Sequence, residues 1–124
     1  MTPPRIIDAR GEEARADDAG AARQLEAMVA SAFAIRPEAI RNKRRGRARA
    51  AFARQVAMYL THTRLGLTYT AAGSLFGRDR TTAAHACRTV ENRREDPKVD
   101  AAVNFLERAM DVWPEAEPSR LVPG

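Results

Sequence analysis

Residues 68–92 read TYTAAGSLFGRDRTTAAHACRTVEN. Two short helical patterns meet here at a glycine. The first carries Ala72, Leu75 and Phe76 and stops at Gly77, with Thr68 or Thr70 available to cap its start. The second starts at or just after Asp79, whose carboxylate can accept from the orphan N–H groups of a first helical turn. Its inner stripe is Ala83, Ala86, Cys87 and Val90, at helical spacing. Gly73 lies four residues before Gly77, where two crossing helices need a small residue, and Gly77 supplies cheap positive φ in the turn. This spacing predicts a helix-turn-helix, although any αα-hairpin could share it.

The outer side of the second helix separates these options. Thr81, His85, Arg88 and Asn92 follow i, i+4, i+7, i+11, flanked by Arg80, Thr82 and Thr89, and nothing acidic interrupts that line. Arginine suits guanine O6/N7, and threonine can donate, accept or touch a thymine methyl. Asp79 fits a helix cap first and an acceptor for cytosine N4 second.

Upstream, residues 41–55 read RNKRRGRARAAFARQ, and seven of these fifteen are basic. Gly46 makes the start of this run a loop. Arginines on such a loop can follow a phosphate backbone or enter a narrow minor groove. Apolar periodicity predicts four further helices and no strand. They run from Ala19 to Ala34 (Leu25, Met28, Val29, Ala32, Phe33), from Pro37 to about Asn42, and from Ala48 to Arg64 (Phe52, Val56, Tyr59, Leu60). The last follows Pro97 and carries Val99, Val103, Leu106, Met110 and Trp113. The expected fold is all-α, about six helices around a central helix-turn-helix. The expected domain spans 19–113. Residues 1–18, polar and holding Pro3-Pro4, are expected to be disordered or weakly ordered, and 114–124, with three prolines, to form a tail.

The chain has 124 residues and a formal net charge of +5, but the charge is unevenly placed. Residues 1–35 hold 4 basic and 6 acidic side chains, 36–94 hold 14 and 3, and 95–124 hold 3 and 7. A cationic middle between acidic ends points to a polyanion partner. The acidic last helix is a candidate docking surface for a protein. A mean hydropathy of −0.47 and the lack of a long apolar run argue against a membrane span. No apolar signal core opens the chain, so a cytoplasmic, nucleoid-associated location is expected. One cysteine and two histidines make no ligand set, and His85 and Cys87, two apart on a helix, diverge. No nucleophile–base pair and no G-x-x-x-x-G-K-[ST] loop is present, so neither catalysis nor a metal or other cofactor is expected.

Residues 77–95, GRDRTTAAHACRTVENRRE, resemble the signature of the C-terminal DNA-binding domain (domain IV) of the bacterial replication initiator DnaA. Residues 43–60, KRRGRARAAFARQVAMYL, resemble that domain's basic loop and following helix, and the likeness extends over about 24–113. It implies binding to double-stranded DNA. Asp79, Arg80 and Thr81 would read bases in the major groove, with Arg78, Thr82, His85, Arg88 and Thr70 close by. Arg45 would enter the adjacent minor groove, Lys43, Arg44 and Arg47 of the basic loop would also bind DNA, and Arg54 and Gln55 would hold phosphate. The chain departs from the family at several points. Arg80 replaces a usual histidine, and a glycine before Arg78 is missing. Ala83-Ala84 replaces Val-Leu, Ala72 replaces a larger aliphatic, Thr70 replaces proline and Thr89 replaces a basic residue. One extra residue lies between Gly46 and Arg54. The binding mode carries over on this resemblance; the usual recognition sequence does not follow from it.

Free-standing domains of this kind resemble the DNA-binding component of gene transfer agent activators. The expected function is therefore transcriptional regulation, with a partner transcription factor or RNA polymerase contact. The alternatives are a replication modulator that competes for initiator sites and an adaptor that docks an acidic protein.

Overall fold

The computed structural model describes residues 5–7, 13–41 and 48–112. Six helices carry the fold: α1 (Ala16–Phe33), α2 (Pro37–Arg41), α3 (Ala48–Thr63), α4 (Tyr69–Leu75), α5 (Arg80–Arg93) and α6 (Pro97–Asp111). The all-α expectation holds. Ahead of them, β1 (Arg5–Ile7) and β2 (Glu13–Arg15) pair antiparallel with Ile6 opposite Ala14. This pairing lies in the segment read from sequence as disordered or weakly ordered, and α1 begins at Ala16 rather than Ala19. Trp113 and the tail 114–124 lie outside the described residues.

α3 is the central post. Ala53, Val56, Ala57, Met58, Leu60 and Thr61 are all essentially inaccessible. It is buried nearly all round because α1, α2, α4 and α5 each pack on it. Thr61 sits in this core without penalty because its hydroxyl donates to the Ala57 carbonyl at 2.8 Å. On α1 the buried arc is Ala22, Leu25, Val29 and Ala30, with Phe33 half-buried. Ala32, expected on this stripe, is exposed.

Several chain reversals are locked by backbone geometry. α1 ends with Ile35 N–H donating to Ala30 O at 2.9 Å and Ala34 N–H to Ser31 O at 3.2 Å, which places Ala34 at φ 58°. α4 ends in the same pattern, with Arg78 N–H on Gly73 O at 2.8 Å and Gly77 N–H on Ser74 O at 3.1 Å. These are the two bonds of a Schellman cap, and Gly77 takes the left-handed position at φ 70°.

Candidate nucleic-acid interface

The helix-turn-helix is α4, the turn 76–79 and α5. Thr68 is the cap of α4, its hydroxyl accepting from Ala71 N–H at 3.1 Å, so Thr70 falls inside the helix. Asp79 caps α5, accepting from Thr82 N–H at 2.8 Å. That backbone hydrogen bond, reinforced by the Thr82 hydroxyl, holds the Asp79 carboxyl below its ordinary 3.8. The crossing demanded by Gly73 is tighter than the sequence implied. A Cβ there would stand 2.7 Å from Asp79 O and 2.8 Å from Arg78 O, both backbone atoms. Gly73 thus seats the turn directly on α4 and sets where α5 begins.

α5 divides into two faces. Ala83, Ala86, Cys87 and Val90 are buried against the core. Burial, then the nearby Glu91 charge, pushes the Cys87 thiol up to about 11, so it stays protonated and inert. Arg80, Thr81, Thr82, His85, Arg88 and Asn92 are exposed. His85 Nε2 and the Thr89 hydroxyl lie 3.4 Å apart, and this contact orients the imidazole along the helix. The structure therefore brings Arg80, Thr81, His85 and Arg88 together on one solvent-facing surface, with Asp79 and Thr82 at its N-terminal edge.

Three other expected site residues are placed differently. Arg54 is half-buried on α3, its Nε donating to Ile40 O at 2.5 Å and Nη2 reaching Ala39 O at 3.4 Å. These contacts use carbonyls near the C-terminus of α2, where cations are favoured. Burial and, after it, the charge of Arg78 lower the Arg54 pKa. Arg54 thus ties α2 to α3, on either side of residues 42–47. Arg78 is half-buried at the turn and donates to Phe76 O at 3.2 Å. Gln55 is half-buried beside Arg54. Lys43, Arg44, Arg45 and Arg47 lie outside the described residues.

Sequence reading missed the structural work of two arginines. Arg94 Nε donates to Asp100 at 2.7 Å, and its other nitrogens reach Asn104 at 2.6 Å, Tyr59 Oη at 3.1 Å and Glu107 at 3.2 Å. Arg23 donates to Leu75 O at 2.5 Å and lies over the Phe76 ring at 5.0 Å, which fastens α1 to the end of α4. No local signal marks either one, because their partners are 35 and 52 residues away for the longest contacts. Three acids of the last helix, a candidate docking surface from sequence, are paired within the fold. Asp100 and Glu107 pair with Arg94, and Asp111 pairs with Arg64.

Comparison with known proteins agrees with this geometry. The family described as bacterial dnaA protein helix-turn-helix matches residues 22–90. A solved structure described as the crystal structure of a DNA replication initiation factor is similar at a TM-score of 0.66 and 31% identity. The match covers 74% of this chain and 28% of that one. The chain belongs to the bacterial DnaA helix-turn-helix family and carries its DNA-binding domain.

Proposed function

We propose that this DnaA helix-turn-helix family member binds duplex DNA sequence-specifically and acts as a transcriptional regulator, within a DNA-binding unit spanning 19–113. The observation that carries the reading is the outward face of α5. Arg80, Thr81, His85 and Arg88 are all exposed on a helix whose start is set by Gly73, Gly77 and the Asp79 cap. Side chains at the start of a recognition helix reach base edges in the major groove. In this reading Arg80 makes a bidentate contact to guanine O6/N7, which a histidine at that position could not. Thr81, Thr82 and His85 read neighbouring bases, with Asp79, Thr70 and Arg78 bordering them. Lys43, Arg44 and Arg47 contact phosphates, Arg45 enters the minor groove, and Arg54 and Gln55 hold phosphate while Arg54 also ties α2.

Selection of bound sequences from a random duplex pool tests this. The protein should recover one motif, and Arg80→His should relax the preference at one base pair and cost about 1–3 kcal/mol on the parent site. An unchanged motif with all sequences weakened alike would make Arg80 a phosphate contact. With five or six cations on phosphates, the log–log slope of affinity against salt should be about −4 to −6. A slope near zero would overturn DNA binding by the cationic middle.

The likeness to a replication initiation factor supports a second reading, in which the protein competes for initiator sites. Affinity for initiator boxes above that for the selected motif would favour it. Transcriptional activation of gene transfer agent genes with a partner protein is the narrower form of the first reading. Genome-wide mapping of bound sites distinguishes these outcomes.

A further inference from the structure

A cavity of about 360 Å³ opens where the ends of α1 and α5 meet the starts of α3 and α6. Its apolar wall is Phe33, Phe52, Val99 and Ala102. The two phenyl rings meet edge to face at 5.8 Å. Ala48, Arg49, Arg93 and Lys98 complete the lining among the described residues, with no acid among them. The Arg93 guanidinium lies 3.9 Å from the centre of the Phe52 ring. Among the described residues, no carboxylate pairs with Arg49, Arg93 or Lys98.

The apolar surface continues along α6. Helical spacing places Ala102, Phe105, Ala109 and Val112 on one line. Phe105 is 65% exposed and Val112 78%, the large apolar side chains most open to solvent among the described residues. The acids of α6 fall on the opposite side, where Asp100 and Glu107 engage Arg94 and Asp111 engages Arg64. α6 is therefore sorted into a neutralised acidic flank and an open strip that is apolar with Lys98 and Arg108 beside it. From Lys98 to Val112 the strip runs about 20 Å, the length of roughly four helical turns. It also lies at the far end of α5 from Arg80, about 20 Å along that helix.

We propose that this cavity and strip form a docking groove for an acidic amphipathic helix of a partner protein. Bulky apolar side chains of that helix would fill the cavity and cover Phe105, while its carboxylates meet Arg49, Arg93 and Lys98. Charge complementarity selects an acidic occupant over a basic or neutral one, because among the described residues no carboxylate pairs with these cations and no acid lines the groove. The groove is separate from the exposed face of α5 that carries Arg80, Thr81, His85 and Arg88. The inference stands whether or not the DNA reading does.

The test uses the full chain and a fluorescein-labelled synthetic 18-residue helix with Leu and Phe at i, i+3, i+4, i+7 and Glu on the flanks. Anisotropy should show saturable binding. Ala102→Glu, Phe105→Glu and Lys98→Glu should each weaken it at least tenfold, while melting temperature and affinity for the selected DNA motif stay within twofold of the parent. The probe with Lys for Glu should not bind, and duplex DNA should not displace the acidic probe. Equal binding by parent and variants, or displacement by DNA, would place the probe on the DNA face and overturn the proposal. So would equal binding of a polyglutamate peptide without apolar side chains. Binding that appears only after removal of residues 113–124 would make the chain's own tail the occupant and overturn it. Variant-sensitive binding to phosphatidylglycerol vesicles without peptide binding would do so too, by making the groove a lipid-binding surface.

Discussion

Arginines in two regions of this molecule have opposite fates. At the α2–α3 and α5–α6 junctions, Arg54 and Arg94 point inward and are held by carbonyls and carboxylates. On the outer face of α5, Arg80 and Arg88 are exposed and, among the described residues, make no such ties. All four belong to the same cationic middle of the chain, so the charge run alone does not define a binding surface. The difference is one of partners. An inward arginine stabilises the fold by satisfying helix ends and half-buried acids, whereas an outward one keeps its hydrogen-bonding fork for a ligand.

The largest effect should come from the turn that aims the outward region. Gly73→Val would drive a side chain into the backbone at Arg78 and Asp79 and should cost about 3 kcal/mol. Urea denaturation would read the loss. DNA affinity should fall for every sequence, because α5 loses its starting point. Full stability in the valine variant would remove Gly73 from the crossing.

Arg94→Met tests the inward region. It breaks the contacts to Tyr59, Asp100, Asn104 and Glu107 and should cost about 2 kcal/mol. The salt slope of DNA binding should not change. A shallower slope at unchanged stability would turn Arg94 into a DNA contact.

Arg54→Ala and Arg88→Ala sharpen the contrast directly. Arg54→Ala should cost about 1 kcal/mol of stability through its carbonyl bonds, and should weaken all DNA alike. Arg88→Ala should leave stability within about 0.5 kcal/mol, as surface changes do. Its DNA affinity should nonetheless fall by about 1–3 kcal/mol if it reads a base. Calorimetric melting and titrations on both variants separate the two effects, and identical profiles would erase the distinction.

The smallest effect is a pH dependence at Asp79. Its hydrogen bonds to Thr82 depress the folded-state pKa below the ordinary 3.8. The stabilisation is therefore complete above that ordinary value and is lost as pH falls through the depressed one. Asn can still cap but does not titrate there. The melting temperatures of the parent and Asp79→Asn should thus differ by a constant amount near neutrality and converge or cross below about pH 4. A constant gap down to pH 2 would show that the Asp79 carboxylate does not contribute through its charge.

Much of this was legible because it is local. Gly77, Asp79 and the spacing of Ala83, Ala86, Cys87 and Val90 act within one or two helical turns, and the backbone obeys them. The outward line of Thr81, His85 and Arg88 follows from the inner stripe by the geometry of a helix. Less local features were not legible. Arg54 has the composition of a phosphate ligand, and nothing in the sequence signals that it also bonds the carbonyls of Ala39 and Ile40. Ala32 fits the α1 stripe by period, yet among the described residues no neighbouring element covers it and it is exposed.

The sequence by itself determined the six helices, the Asp79 cap and the cationic outer face of α5, because each depends on residues a few positions apart. Tertiary structure alone decided which cations remain open. Arg94 meets Tyr59 across 35 positions, Arg23 meets Leu75 across 52, and Phe33, Phe52 and Arg93 converge on one cavity from three helices. Side-chain type sets what a residue can bind, and packing over long sequence separations sets whether a partner within the fold has already taken it.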